Sequence, residues 1–223
     1  MKFLSNIFLV VLITGSTVAS AQKTLFSVAT DLALQRNFKK EQRYWSAGQT
    51  VYSNFHLNPK DAVYASFAYF TEGEFNNSVT ATAKSALTTP QQINYTNTSK
   101  MRIKQISLGY RKYFKGRFDA EEGWNLYGSA GLGLMLGRVE NRHSNVIDTN
   151  TYLVPVRSGK ANFKRLTLDL ALGYEYPLGA SFYIYVEGRA LVPTTDYPSK
   201  HIFVNKNAPL VGIASAGLRI LFD

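Results

Sequence analysis

From Leu166 to Tyr176 every second residue is large and apolar. Leu166, Leu168, Leu170, Leu172, Tyr174 and Tyr176 alternate with Thr167, Asp169, Ala171, Gly173 and Glu175. A helix would scatter those leucines around its surface, whereas a strand puts all of them on one face. The same period recurs over 24–36, 50–57, 62–72, 102–114, 124–137, 181–191 and 209–222. In 62–72 the parity is ambiguous: Val63, Ala65, Phe67 and Tyr69 share one face, but Tyr64 and Phe70 sit on the other. Eight strands result, most of them longer than the usual five or six residues.

The connections alternate between short and long. Asn58–Asp61 and Pro177–Ala180 are tight turns, and Lys115–Gly123 is a somewhat longer link. The stretches 37–49, 73–100, 138–162 and 192–208 are long and rich in Asn, Thr, Ser and Lys. Short turns at one end of a meander and long polar loops at the other describe a transmembrane barrel of the outer-membrane type. With eight strands both termini fall on the short-turn side. The fold class expected is therefore all-β, an eight-stranded antiparallel up-and-down transmembrane β-barrel.

Only 18% of the residues are charged and 45% are hydrophobic, which argues against a disordered chain. No apolar run after residue 21 approaches the roughly 18–20 residues of a spanning helix, so a helical membrane protein is excluded. Cysteine is absent, which excludes disulfides, thiolate metal sites and Cys nucleophiles. At the N-terminus, Met1-Lys2 precedes the apolar run Phe8–Ile13 and the small-x-small site Ala19-Ser20-Ala21. This reads as a secretory signal peptide over 1–21, cleaved after Ala21, ahead of a barrel domain over 22–223. Removing Lys2 takes the formal charge from +10 to +9. Export removes cytosolic nucleic acid as the natural partner of that charge, leaving lipid and surface polyanions.

Alternation alone also fits a soluble carrier barrel with an apolar cavity. Three features favour a lipid-facing outer surface. The non-apolar face is mostly Gly, Ala and Ser, which suits a narrow interior. Charges on the apolar face, such as Arg36 and Lys112, lie near strand ends. Finally, Phe26, Phe55, Phe114, Trp124, Tyr176, Phe182 and Phe222 occupy seven of eight strand ends on the short-turn side, with common parity. That placement reads as a periplasmic aromatic girdle, although strands are enriched in aromatics generally.

The opposite parity carries Asp31, Arg111, Asp169, Glu175, Glu187, Arg189 and Arg219. These form the expected lumen charge network. Arg111, Glu175 and Arg219 are placed in a lower layer, and Asp31, Asp169, Glu187 and Arg189 nearer the middle. Paired, they can form an ion-pair plug; hydrated, they would line a polar pathway. The long loops carry Lys39, Lys40, Arg43, Lys84, Lys100, Arg138, Arg142, Arg157, Lys160, Lys164, Arg165, Lys200 and Lys206. Facing outward, they would meet lipopolysaccharide phosphates or other polyanions, or serve simply as solvated charge. The 73–100 segment is a candidate to extend its hairpin above the membrane.

No HExxH, GxSxG, phosphate loop or metal-ligand cluster appears, so no cofactor, catalytic residue or metal ligand is assigned. His56 is expected inward, with His143 and His201 in loops. His143 and Ser144 are adjacent, and neighbours on a strand face opposite ways.

Signal peptide, strand pattern and loop asymmetry together resemble the small outer-membrane β-barrel proteins of Gram-negative bacteria, such as the OmpA membrane domain and OmpX. The ending Gly217-Leu218-Arg219-Ile220-Leu221-Phe222 adds to the likeness. The barrel is expected to be a monomer, and the resemblance implies a place in the cell outer membrane. It also implies that Leu218, Ile220 and Phe222 are an assembly signal for the barrel-assembly machinery; Asp223 departs by making the aromatic penultimate. The role expected is that of a surface-loop scaffold for envelope integrity or adhesion, not an enzyme; a narrow porin-like channel is the alternative, and a lipid A-modifying enzyme ranks behind both.

Overall fold

The computed structural model describes residues 25–194 and 210–222. The expected signal peptide over 1–21, His201, Lys200 and Lys206 lie outside them. The strands are β1 (Leu25–Asn37), β2 (Trp45–Asn58), β3 (Asp61–Phe70), β4 (Gly73–Ala83), β5 (Gln92–Lys115) and β6 (Asn125–His143). A two-residue β7 (Tyr152–Leu153), β8 (Gly159–Gly179), β9 (Phe182–Pro193) and β10 (Val211–Phe222) complete them. Every pairing is antiparallel. The ladder runs β3-β2-β1-β10-β9-β8-β6-β5, and pairing of β3 with β5 closes it into a ring of eight.

β4 continues β3 beyond the ring. Tyr69 pairs with Lys104 and Gly73 with Met101, so one strand has an extra residue between those points and bulges there. The hairpin of β4 and β5 then rises as a two-stranded extension, steadied where Thr82 and Ala83 pair with β7. Much of 73–100 and 138–162 is thus strand rather than loop. Lys100, Arg138, Arg142, Lys160, Lys164 and Arg165 stand on β5, β6 and β8, not in loops. Arg165 departs furthest from expectation, because its side chain is buried on the inward parity.

The two faces separate by parity in every strand. Outward lie Leu32, Leu34, Leu108, Leu132, Leu170, Leu172, Val186 and Leu218, all well exposed. Inward lie the buried polar groups and a set of rings. β3 follows the same rule: Val63 and Phe67 face out, and Tyr64 and Phe70 face in. An exposed apolar band around a polar interior is unfavourable in water and favourable in hydrocarbon.

The inward glycines have a steric role beyond keeping the lumen narrow. A Cβ on Gly173 would stand 2.2 Å from the Tyr127 ring, and one on Gly131 would stand 2.6 Å from the Tyr64 hydroxyl. These positions are sockets for tyrosine rings, and the lumen is filled rather than open.

Candidate functional site

Two places concentrate charge: the lumen and the outward rim above the apolar band.

In the lumen the hub is Glu187 on β9. Tyr52 Oη donates to its Oε1 at 2.5 Å and Tyr127 Oη to its Oε2 at 3.0 Å. Arg189 Nη2 reaches Oε1 at 2.9 Å and Arg111 Nη2 reaches Oε2 at 3.2 Å. One carboxylate thereby ties β2, β5, β6 and β9 across the interior. Arg111 also lies over the Tyr127 ring at 4.1 Å, a contact that stabilises a guanidinium out of water. This corrects the expected layering, since Arg111 reaches up to Glu187 and not to Glu175.

Below, Arg219 and Glu175 form a bidentate pair, with Nε to Oε2 and Nη2 to Oε1 both at 2.7 Å. Asn125 Nδ2 donates to Glu175 at 3.0 Å, and Arg219 Nη2 also donates to the Phe118 carbonyl at 2.6 Å. Phe118 belongs to the β5–β6 link, which folds back under the barrel. Its ring stacks on inward-facing His56 at 4.0 Å and joins Tyr113, Tyr127, Tyr183 and Leu221 in an apolar layer.

Asp31 and Asp169 are held differently. Asp31 accepts from the Thr50 N–H at 2.8 Å and from Tyr185 Oη at 3.1 Å. Asp169 accepts from Ser107 and, at 2.7 Å, from Thr167 Oγ1, while Gln105 Nε2 lies 3.3 Å away. Among the described residues neither has an ion pair, so of the four inward carboxylates of the expected network Glu175 and Glu187 pair with arginine and these two do not. Above them Phe70, Met101, Ile103, Met135, Phe163 and Leu191 form a second apolar layer. Sequence reasoning missed the tyrosine rings that fill the lumen below this layer. Their signal was present in the inward parity of Tyr52, Tyr127, Tyr183 and Tyr185.

At the short-turn end, Phe26 sits between Phe222 and Phe55 in register, with ring centroids 6.0 and 5.1 Å apart. Trp124 stacks on Tyr174 at 5.4 Å under the Lys115 ammonium. Phe114, Tyr176 and Phe182 are exposed outward at the same end, as are Leu218 and Phe222 of the last strand.

Above the apolar band the cations stand in two environments. Arg142 and Lys160 both reach Glu140, at 2.8 and 3.5 Å, and Lys100 reaches Glu74 at 3.5 Å. Hydrogen bonding from Arg142 holds the Glu140 carboxyl below its usual range. Lys84 Nζ donates to the Thr149 carbonyl at 2.8 Å. Arg138 and Lys164, by contrast, have no anionic partner among the described residues. His143 packs on the Tyr95 ring at 4.7 Å, and burial lowers its pKa. Ser144 Oγ accepts from the Thr96 N–H, and the His143 Nε2 has no hydrogen-bond partner, so no nucleophile–base contact joins the two. Among the described residues no group of His, Asp or Glu could hold a metal, and no helix is long and apolar enough to cross a membrane.

Solved structures match over nearly the whole ring. Ail of Yersinia pestis, in complex with the heparin analogue sucrose octasulfate, is 14% identical, with a TM-score of 0.50 over 90% of this chain and 100% of that one. Neisserial surface protein A is 13% identical, with a TM-score of 0.53 over 88% of this chain and 97% of that one. The chain has the fold of the small outer-membrane β-barrels. No protein-family model matches its sequence, and no curated protein does.

Proposed function

We propose that this chain is a monomeric outer-membrane barrel with a closed interior. Its work is done outside the membrane, by hairpins and loops that bind polyanions and so serve adhesion or envelope integrity. The observation that carries this reading is the filled lumen: two apolar layers and the Glu187 hub occupy the space a solute would need. What remains available is the extension of β4, β5 and β6, with Lys84, Arg142, Arg157 and Lys160 around it. The polyanion bound to Ail, a barrel of the same fold, supports the same direction. The inward network then serves to fix strand register, the ring of Phe26, Phe55, Phe114, Trp124, Tyr176, Phe182 and Phe222 sets membrane depth, and Leu218, Ile220 and Phe222 face outward where an assembly factor can read them. Among the described residues no catalytic constellation supports an enzymatic role.

Immobilised heparin tests this reading. The refolded protein should bind it in low salt and be released as salt rises, because exposed charge pairs are screened. The triple variant Arg142→Gln, Arg157→Gln, Lys160→Gln should elute at clearly lower salt. Absence of binding by the unaltered protein, or equal elution of the variant, would overturn it.

A further inference from the structure

We propose that residues 144–158, between β6 and β8, form an acid-released strap with His143 as its trigger. At neutral pH the strap covers the apolar inner side of the β4–β5 hairpin. In mild acid it lifts, and that apolar surface becomes available to a partner. This goes beyond the polyanion reading and does not depend on it.

The strap lies well clear of the membrane. His143 ends β6, nineteen residues beyond the girdle residue Trp124. At about 3.4 Å each and a tilt of about 40°, that is a rise of roughly 49 Å, against an apolar band of about 25 Å. What the strap covers is apolar: Tyr152 and Val154, with Ile147 beside them, pack on Val79, Ala81 and Tyr95 of the hairpin. What holds it is slight. β7 pairs only with Thr82 and Ala83. Lys84 donates to the Thr149 and Thr151 carbonyls at 2.8 and 3.0 Å, and Tyr152 Oη donates to the Pro90 carbonyl at 2.9 Å. Gly159, at the far end of the strap, has a φ of 115°, and a Cβ there would meet nothing, so the backbone can turn at that point. A segment tied by so few bonds opens more readily than the closed ring.

His143 stands where the strap begins. It pairs in register with Asn97, packs on the Tyr95 ring at 4.7 Å and forms part of the wall of a cavity of about 630 Å³ lined mainly by the strap. Burial lowers its pKa, and a hydrogen bond with the Val156 backbone works the other way. A bond that favours the charged ring has the ring N–H as donor and the carbonyl as acceptor, which leaves Nε2 as the bare nitrogen of a neutral imidazole. Nε2 is buried without a hydrogen-bond partner, and neighbouring Tyr95 Oη has none either. A proton arriving on Nε2 therefore finds no acceptor while the strap is closed, and a buried charge left unpaired is strongly unfavourable. The surroundings add to this. Lys84 from the hairpin and Arg157 from the strap line the same cavity, and no carboxylate lines it. Glu140, Arg142 and Lys160 form a cluster of their own, and Asp148 accepts from the Asn150 N–H and the Thr151 hydroxyl within the strap. Because the His143 pKa in the closed form lies below its ordinary value, closure is at full strength above about pH 6.5 and weakens as the pH falls below that. Thr151 and Arg142 hold the Asp148 and Glu140 carboxyls below their usual range, so what those groups contribute is lost only in stronger acid.

The chain has no cysteine, so a single pair of spin labels can be placed through Leu87→Cys on the hairpin turn and Val146→Cys on the strap, both at fully exposed side chains. Their separation is measured by pulsed electron paramagnetic resonance on the refolded protein in lipid vesicles, from neutral pH into acid. One short distance is expected at neutral pH, and a longer one should grow roughly fivefold or more between about pH 7.5 and pH 5. Adding His143→Gln, which cannot take up the proton, should hold the short distance across that range. Adding His143→Arg, charged throughout, should bring out the longer distance already at neutral pH. Heat-dependent gel mobility establishes that the barrel of each variant is folded. A distance that stays fixed down to about pH 5 overturns the strap, and a response that survives His143→Gln overturns the trigger. A midpoint near or below pH 4, where carboxylates titrate, overturns it as well.

Discussion

Glu187 and Asp169 are both buried carboxylates on the inner wall, yet their partners differ in kind. Glu187 answers two guanidinium groups, whereas Asp169 is held by Ser107, Thr167 and Gln105, all neutral. Removing one member of a buried pair leaves an uncompensated charge, which costs about 3–5 kcal/mol. Glu187→Gln leaves two such charges, Arg111 and Arg189, so a loss at the upper end of that range is expected. Arg189→Gln should cost less, since Glu187 keeps Arg111 and both tyrosine hydroxyls. Asp169→Asn replaces an ion by an amide among neutral partners, and should be the mildest of the three. Urea titrations of the barrel refolded in vesicles check the order. Equal, small effects at all three positions would mean that the interior is well hydrated.

Among the strands, β8 states the two-faced design most plainly, because from Leu166 to Leu172 its outward residues are all leucines while its inward side carries Arg165, Thr167, Asp169 and Glu175. Leu170 lies mid-strand and is 42% exposed. In water that would be a liability, while in hydrocarbon it is satisfied. Leu170→Arg should therefore lower stability in bilayers by about 2–4 kcal/mol, the cost of a cation near the midplane. Leu170→Ala, which keeps the position apolar and removes little inward packing, should be much milder. The comparison is read from unfolding of the two variants in vesicles of one composition. Matching small losses would mean that this face does not meet lipid.

For the molecule as a whole, the consequence is closure. The link between β5 and β6 brings Phe118 against the Arg219–Glu175 pair at the lower end, and Phe70, Met135 and Phe163 fill the upper part. With those side chains across the lumen, a continuous water path is not expected. The unaltered protein in planar bilayers should accordingly show no discrete conductance steps. Regular single-channel steps that scale with salt would replace the plug with a pore and remove the basis of the surface reading.

Period-two alternation over long stretches determined the strand number, the parity of each strand and the set of residues that meet inside, because one face repeated at every second position admits one assignment per strand. β3 was the exception: Tyr64 and Phe70 made both faces look apolar, and only the ring, which gave each face a different neighbour, separated them. Partner choice was not legible. Which arginine reaches Glu187 depends on strand stagger around a closed ladder, a property of pairings far apart in sequence. The same stagger brought Lys104, Arg138 and Lys164 to one height on adjacent strands, although polar composition had placed two of them in loops. Strand continues past the membrane wherever ladder hydrogen bonds go on being made, and that depends on the partner strand rather than on local apolarity.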